Sequence, residues 1–94
     1  MSEVTHVSDG ATGAFVIERD GARLATLSYS MAANVMTLLH TEVDAVLRGT
    51  GAGGKLVDAA VSRARAEQLG IMPTCTYAKS VFDKTPAYHD VLAP

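Results

Sequence analysis

Arg48-Gly49-Thr50-Gly51-Ala52-Gly53-Gly54-Lys55 places four glycines and two cations in eight residues, directly ahead of an amphipathic stretch. Glycine lets the backbone take positive φ and approach a ligand with no Cβ in the way. A helix that begins here aims its unpaired N–H groups at whatever lies above them. The run therefore predicts an anion cradle, with a ligand that carries phosphate. Beyond it, Leu56, Val57, Ala60, Val61 and Ala64 recur at helical spacing, with Lys55, Asp58, Ser62, Arg63 and Arg65 on the remaining surface. That pattern predicts one central helix, ended by Gly70.

Upstream, Ala14-Phe15-Val16-Ile17-Glu18 and Ala22-Arg23-Leu24-Ala25-Thr26-Leu27-Ser28-Tyr29 are strand-like runs joined through Asp20-Gly21, a tight-hairpin signal. A third run, Val35 to Val43, follows a short polar connection containing Asn34, so an antiparallel meander of three strands is the economical arrangement. The long apolar stretches predict a sheet covered on both faces. Downstream, Ile71-Met72-Pro73-Thr74-Cys75-Thr76-Tyr77 predicts a fourth strand whose proline marks an edge, a bulge or a strand end. Residues 78–84 suit a short final helix before Thr85-Pro86. The class is α/β in the α+β sense, in one domain over residues 1–94.

Composition narrows the function. At 48% hydrophobic and 19% charged residues, the 94-residue chain is globular with a modest core. A net charge of −2 and a pI near 5.8 argue against a nucleic-acid partner, whose binders usually show a basic face and a pI above about 9. No apolar stretch reaches the roughly 20 residues that span a bilayer. Met1-Ser2-Glu3 lacks the basic start of a signal peptide, so a cytoplasmic location is expected, with no membrane partner. One cysteine excludes an internal disulfide, and no cluster suggests a metal.

Three kinds of phosphate loop compete for the glycine run. Gly49 to Lys55 fits G-x-x-x-x-G-K, but the next position is Leu56, which offers magnesium no oxygen where Ser or Thr is needed. Gly49-x-Gly51-x-x-Gly54 fits the dinucleotide fingerprint, yet the segment around residues 70–74 supplies no acid for the ribose, and the chain is too short for a double βαβαβ. The third pattern, Q/R-x-x-G-x-G/A of acetyl-CoA enzymes, is met as Arg48-x-x-Gly51-x-Gly53. With His40-Thr41-Glu42-Val43 upstream, Pro73-x-Cys75 downstream and Pro86-Ala87-Tyr88 in the tail, the chain resembles a small single-domain branch of the GNAT N-acetyltransferases over roughly residues 13–92.

The resemblance implies transfer of an acetyl group from acetyl-CoA to an amine. The pyrophosphate would lie on the backbone of Gly49, Thr50, Gly51, Ala52, Gly53 and Gly54, with charge from Arg48 or Lys55. Val43 and its neighbours would present backbone groups to the pantetheine arm, and Tyr77 and Lys79 would line the other side. An amine that attacks a thioester loses a proton, so a base near neutral pKa is useful. Alternation puts His40 and Glu42 on one side of the third strand and Thr41 and Val43 on the other. His40 starts near the required pKa, whereas Glu42 would need burial to reach it. The structural alternative makes His40 a hydrogen-bonded framework residue and Glu42 a counterion for Arg48. Cys75 is either a thiolate that relays the acetyl group or a small apolar filler. Tyr88 and His89 are expected to pack and to face solvent.

Larger relatives place a strand and one or two helices before the central hairpin, where only residues 1–12 stand here. The acceptor side should therefore be open. This fits a large acceptor such as a protein, a site completed by a second chain, or an acyl-CoA-binding or sensing module without efficient turnover. Monomer and homodimer both remain compatible.

Overall fold

The computed structural model of the protein describes residues 4–93. Five strands, β1 (Val4–Ser8), β2 (Thr12–Arg19), β3 (Ala22–Ala32), β4 (Val35–Val43) and β5 (Gly70–Pro73), form one sheet in that order. The first four are successively antiparallel, and β5 runs parallel to β4. Helices α1 (Ala52–Glu67) and α2 (Thr76–Lys84) and two 3-10 turns, Ala45–Leu47 and Pro86–Val91, complete the order. No helix among the described residues is long and apolar enough to cross a membrane.

The central meander follows from its turns. Asp20 and Gly21 lie at φ 51° and 81°, and Ala33 and Asn34 at 51° and 63°. Two consecutive left-handed residues give a two-residue turn whose twist matches the paired strands. The predicted Asp20-Gly21 hairpin and the run Val35–Val43 both form.

Elsewhere the chain departs from its pattern. A strand precedes the meander, since β1 pairs with β2 from Val4 opposite Ile17 to Ser8 opposite Gly13. Its mixed VTHVS sequence is held by packing across the sheet, with the His6 ring stacked 4.8 Å from that of Phe15. Gly70 does not end the central helix. Gln68 does, at φ 57° and ψ 47°, and its N–H and that of Leu69 both turn back to the Ala64 carbonyl. Gly70 instead opens β5, where an added Cβ would sit 3.2 Å from the Ala93 side chain. The fourth of the predicted strands is cut to Gly70–Pro73, because Pro73 brings no N–H to continue a ladder. Thr76 and Tyr77 belong to α2.

The sheet is covered on one face, not both. Phe15, Ile17, Leu27, Tyr29, Met36 and Leu38 meet Leu56, Val57, Ala60, Val61 and Ala64 of α1 and Ala78 and Phe82 of α2 in one core. Ala60 and Ala64 are inaccessible and small, which lets α1 settle close to the strands. Each inaccessible side chain such as Leu56 or Phe82 contributes about 1.5–3 kcal/mol by leaving water. On the far face Thr26, Ser28, Ser30 and Thr37 are half-buried, and Val7, Leu39 and Met72 are exposed. Two neighbouring β-branched or small residues, Val16 and Ala14, are hidden there by the strands themselves. The far face of β2 owes its apolar look to Ala14 and Val16, and that of β4 to Leu39, without a second layer of helices.

Candidate active site

The site begins where two parallel strands part. Pairing of β4 with β5 stops at Leu38 opposite Pro73. There the Leu38 carbonyl accepts from Thr74 N–H at 3.1 Å, Cys75 N–H at 3.0 Å and Thr74 Oγ1 at 2.7 Å. Those three donors tie off the corner, and the chain turns into α2 while β4 runs on to Val43 beside an open wedge.

One extra residue sets what the wedge contains. Across β3 and β4, Ser28 faces His40 but Tyr29 faces Leu38, so Leu39 is a bulge. Before it, Met36 and Leu38 point into the core. After it, the phase is reversed, and Thr41 shares the helix-covered face with its partner Leu27. Thr41 Oγ1 consequently lies 3.2 Å from Cys75 Sγ. His40 and Glu42 are turned to the bare face, exposed, opposite Ser28 and Thr26. The structure thus brings Cys75 to Thr41, puts Val43 beside Thr41 on one cavity wall, and sets His40 and Glu42 apart from them. Among the described residues no ion pair joins Glu42 to Arg48; both border a shallow cleft of about 480 Å³ with Arg23, Thr26 and Asp44.

The glycine run closes the wedge. Asp44 caps the turn Ala45–Leu47 through Val46 N–H, and Thr50 Oγ1 donates to the Leu47 carbonyl at 2.5 Å. Gly49 and Gly51 take φ of 81° and 82°, where a side chain is strained. The first bond of α1 runs from Lys55 N–H to the Gly51 carbonyl at 3.1 Å. That leaves the N–H groups of Gly51, Ala52, Gly53 and Gly54 without helical partners, and no side chain caps them. A cavity of about 370 Å³ is bounded by Thr41 and Val43, by Leu47, Arg48, Gly49, Gly51, Ala52 and Gly53, and by Tyr77 of α2. Thr50 turns back on its own loop, and Gly54 and Lys55 border the neighbouring groove. Lys79 points outward to Asp83 at 3.1 Å and takes no part.

Cys75 is 9% exposed and sits at the N-cap of α2. Burial pushes its thiol up, but the Thr41 hydroxyl and the N–H groups of Ala78 and Tyr77 outweigh it and leave the thiol below its ordinary value. Tyr88 donates to Asp58 at 2.9 Å and His89 Nε2 lies 2.8 Å from the Phe82 carbonyl, so both tail residues serve packing. The groove along α1, about 960 Å³, is larger than the wedge cavity but contains neither Cys75 nor Thr41; size does not locate the chemistry. Among the described residues no group of three His, Cys, Asp or Glu side chains is placed to hold a metal.

Thr41 is the site residue that sequence reasoning left out. It stood inside the His40-Thr41-Glu42-Val43 signal, on the side opposite His40, but nothing local pointed to a contact with Cys75, 34 positions away.

Comparison with known proteins identifies the family and the fold. A family model described as GCN5-related N-acetyl-transferase matches residues 14–91. The solution structure of a GCN5-like protein from Staphylococcus aureus classed as an N-acetyltransferase is 31% identical, with a TM-score of 0.71 over 99% of this chain and 91% of that one. The ribosomal-protein-S18-alanine N-acetyltransferase of Escherichia coli (13% identity, TM-score 0.68) and an IAA acetyltransferase of Bacillus cereus (18%, 0.62) share the fold over 82% and 79% of this chain. The chain spans about half, 53%, of each of these two larger proteins.

Proposed function

Since the chain belongs to the GCN5-related N-acetyltransferase family, we propose that it takes acetyl-CoA in the wedge between β4 and β5 and moves the acetyl group to an amine by way of Cys75. The loop fits a diphosphate. Four N–H groups at a helix start lack partners, no side chain occupies their place, and an added Cβ at Gly51 or Gly54 would stand in open space. Arg48 at the cavity wall adds charge, and the Thr41 to Val43 edge of β4, released from β5, offers backbone groups to an extended amide-bearing arm.

Acetyl-CoA supplies an activated acyl group as a thioester. The Cys75 sulfur, as thiolate, forms a bond to the acyl carbon as the CoA–sulfur bond breaks, and the CoA thiolate takes up the proton that Cys75 gave up. The acceptor amine then attacks the acetyl-cysteine, the carbon–sulfur bond breaks, and the amine proton goes to a base while Cys75 regains its thiolate. His40 and Glu42 face the bare side of the sheet, away from Cys75, so the amine proton passes to solvent water rather than to the imidazole. The observation that carries this reading is the Cys75 thiol, held by the amides of α2 and by Thr41, which itself lines the cavity that the glycine loop closes.

Incubation with acetyl-CoA followed by intact-mass analysis tests it. An acetyl adduct is expected on the parent protein, absent in Cys75→Ala, and absent in Gly51→Asp, where calorimetry should show no cofactor binding. Binding without any adduct or amine product would favour the second reading, an acyl-CoA-binding or sensing module. The bare sheet face supports that alternative, because no described element walls an acceptor pocket there.

A further inference from the structure

The hydroxyl of Thr41 and the sulfur of Cys75 are 3.2 Å apart across the wedge, and each is where it is because of a backbone device. The Leu39 bulge turns Thr41 inward, and the three-donor corner on the Leu38 carbonyl turns Cys75 toward it. Thr41 also borders the cavity closed by the glycine loop. We propose that Thr41 is a positioning residue for Cys75, its hydroxyl donating to the ionised sulfur and holding it beside the cavity that Thr41 lines.

The inference deepens the relay reading and rests on it. A thiolate accepts where a thiol is a poor acceptor, so the Thr41 hydroxyl favours the charged form and fixes the sulfur's direction. Charged groups on the surrounding elements do not offer the same support. Lys79 of α2 pairs with Asp83, His40 and Glu42 of β4 lie on the other face, and Lys55 of α1 borders the neighbouring groove. Arg48 and the Tyr77 phenol are the titratable groups that share the cavity wall with Thr41. The remaining donors to sulfur are the backbone N–H groups of Ala78, Tyr77 and Thr41 itself, which no side-chain change removes.

The test compares Thr41→Val, which keeps the shape and loses the hydroxyl, with Thr41→Ser, which keeps the hydroxyl, and uses Thr41→Ala should the valine fail to fold. The rate of Cys75 alkylation by iodoacetamide is followed against pH, and the rate of the acetyl adduct is followed with acetyl-CoA. Loss of a hydrogen bond to a charged sulfur should make alkylation about tenfold slower at neutral pH and move its profile to higher pH. Adduct formation should slow in step, and Thr41→Ser should follow the parent in both rates. Superimposable alkylation profiles for parent and Thr41→Val, in folded protein by circular dichroism, would overturn the proposal. A Thr41-dependent profile in a parent protein that binds acetyl-CoA but never forms the adduct would overturn the relay instead and leave the hydrogen bond standing.

Discussion

Gly53 makes room for Tyr77: a methyl group built on Gly53 would lie 2.6 Å from the Tyr77 hydroxyl oxygen. The two residues come from α1 and α2, so this contact sets how closely the second helix roofs the start of the first. Tyr77 is 43% exposed and can swing into water. Gly53→Ala should therefore leave stability within about 1 kcal/mol of the parent, the gain in helix propensity offsetting the displaced ring. Acetyl-CoA affinity should fall about tenfold, because the displaced phenol no longer closes the cavity. Paired with Tyr77→Ala, the losses should be clearly less than additive by calorimetry.

Gly51 and Gly54 should behave oppositely in the free protein. Gly51 sits at φ 82°, so Gly51→Ala costs about 1–2 kcal/mol by backbone strain alone. Gly54 has ordinary helical backbone and nothing within 4 Å of an added Cβ, so Gly54→Ala should raise stability by about 0.5–1 kcal/mol. Both should weaken acetyl-CoA binding, since each adds a methyl group beside the free amides. Urea denaturation and calorimetry on the two variants decide this.

Separation of His40 from Cys75 predicts that the imidazole is dispensable. His40→Ala should leave both the Cys75 adduct rate and the release of the acetyl group to an added amine within about twofold, well short of the roughly hundredfold loss expected of a general base. Slowing of the release step by that amount, in a stopped-flow or quench assay, would give His40 a part in the chemistry that its exposed position on the bare face opposes.

Stability should fall on acidification through His6. Its ring is stacked on Phe15 and bonded through Nε2 to the Tyr29 hydroxyl. Burial, then the charge of Arg63, lower its pKa from 6.5, with Glu67 opposing. The folded state thus binds the proton less well than the unfolded chain. Stability is full above pH 6.5 and declines as the pH drops from there through the lower folded value. Urea midpoints at a series of pH values should show the decline, and His6→Gln should flatten it.

Much of the fold was legible because its signals are local. Asp20-Gly21 specifies its own turn, and Leu56, Val57, Ala60 and Val61 specify the buried stripe of α1. The glycine loop was legible for the same reason, since positive φ at Gly49 and Gly51 is a property of those residues. What failed depends on partners outside the run being read. β1 forms because β2 offers it a ladder, α1 ends at Gln68 because the Ala64 carbonyl accepts there, and α2 starts early because Pro73 halts β5. Alternation separated His40 and Glu42 from Thr41 and Val43 correctly. It could not tell which pair would meet the helices, because Leu39 resembles any other strand residue until its partners across β3 are known.

That single surplus residue also constrains how the gene can change. Removing the Leu39 codon would leave His40 opposite Ser28 and Thr41 opposite Leu27, so the ribbon would become regular while both surfaces kept their chemistry. Loss of a second codon would find no surplus residue to absorb it and would send the threonine hydroxyl to solvent. The strand should therefore tolerate a deletion of one residue but not of two, a rule of counting that composition alone would never disclose.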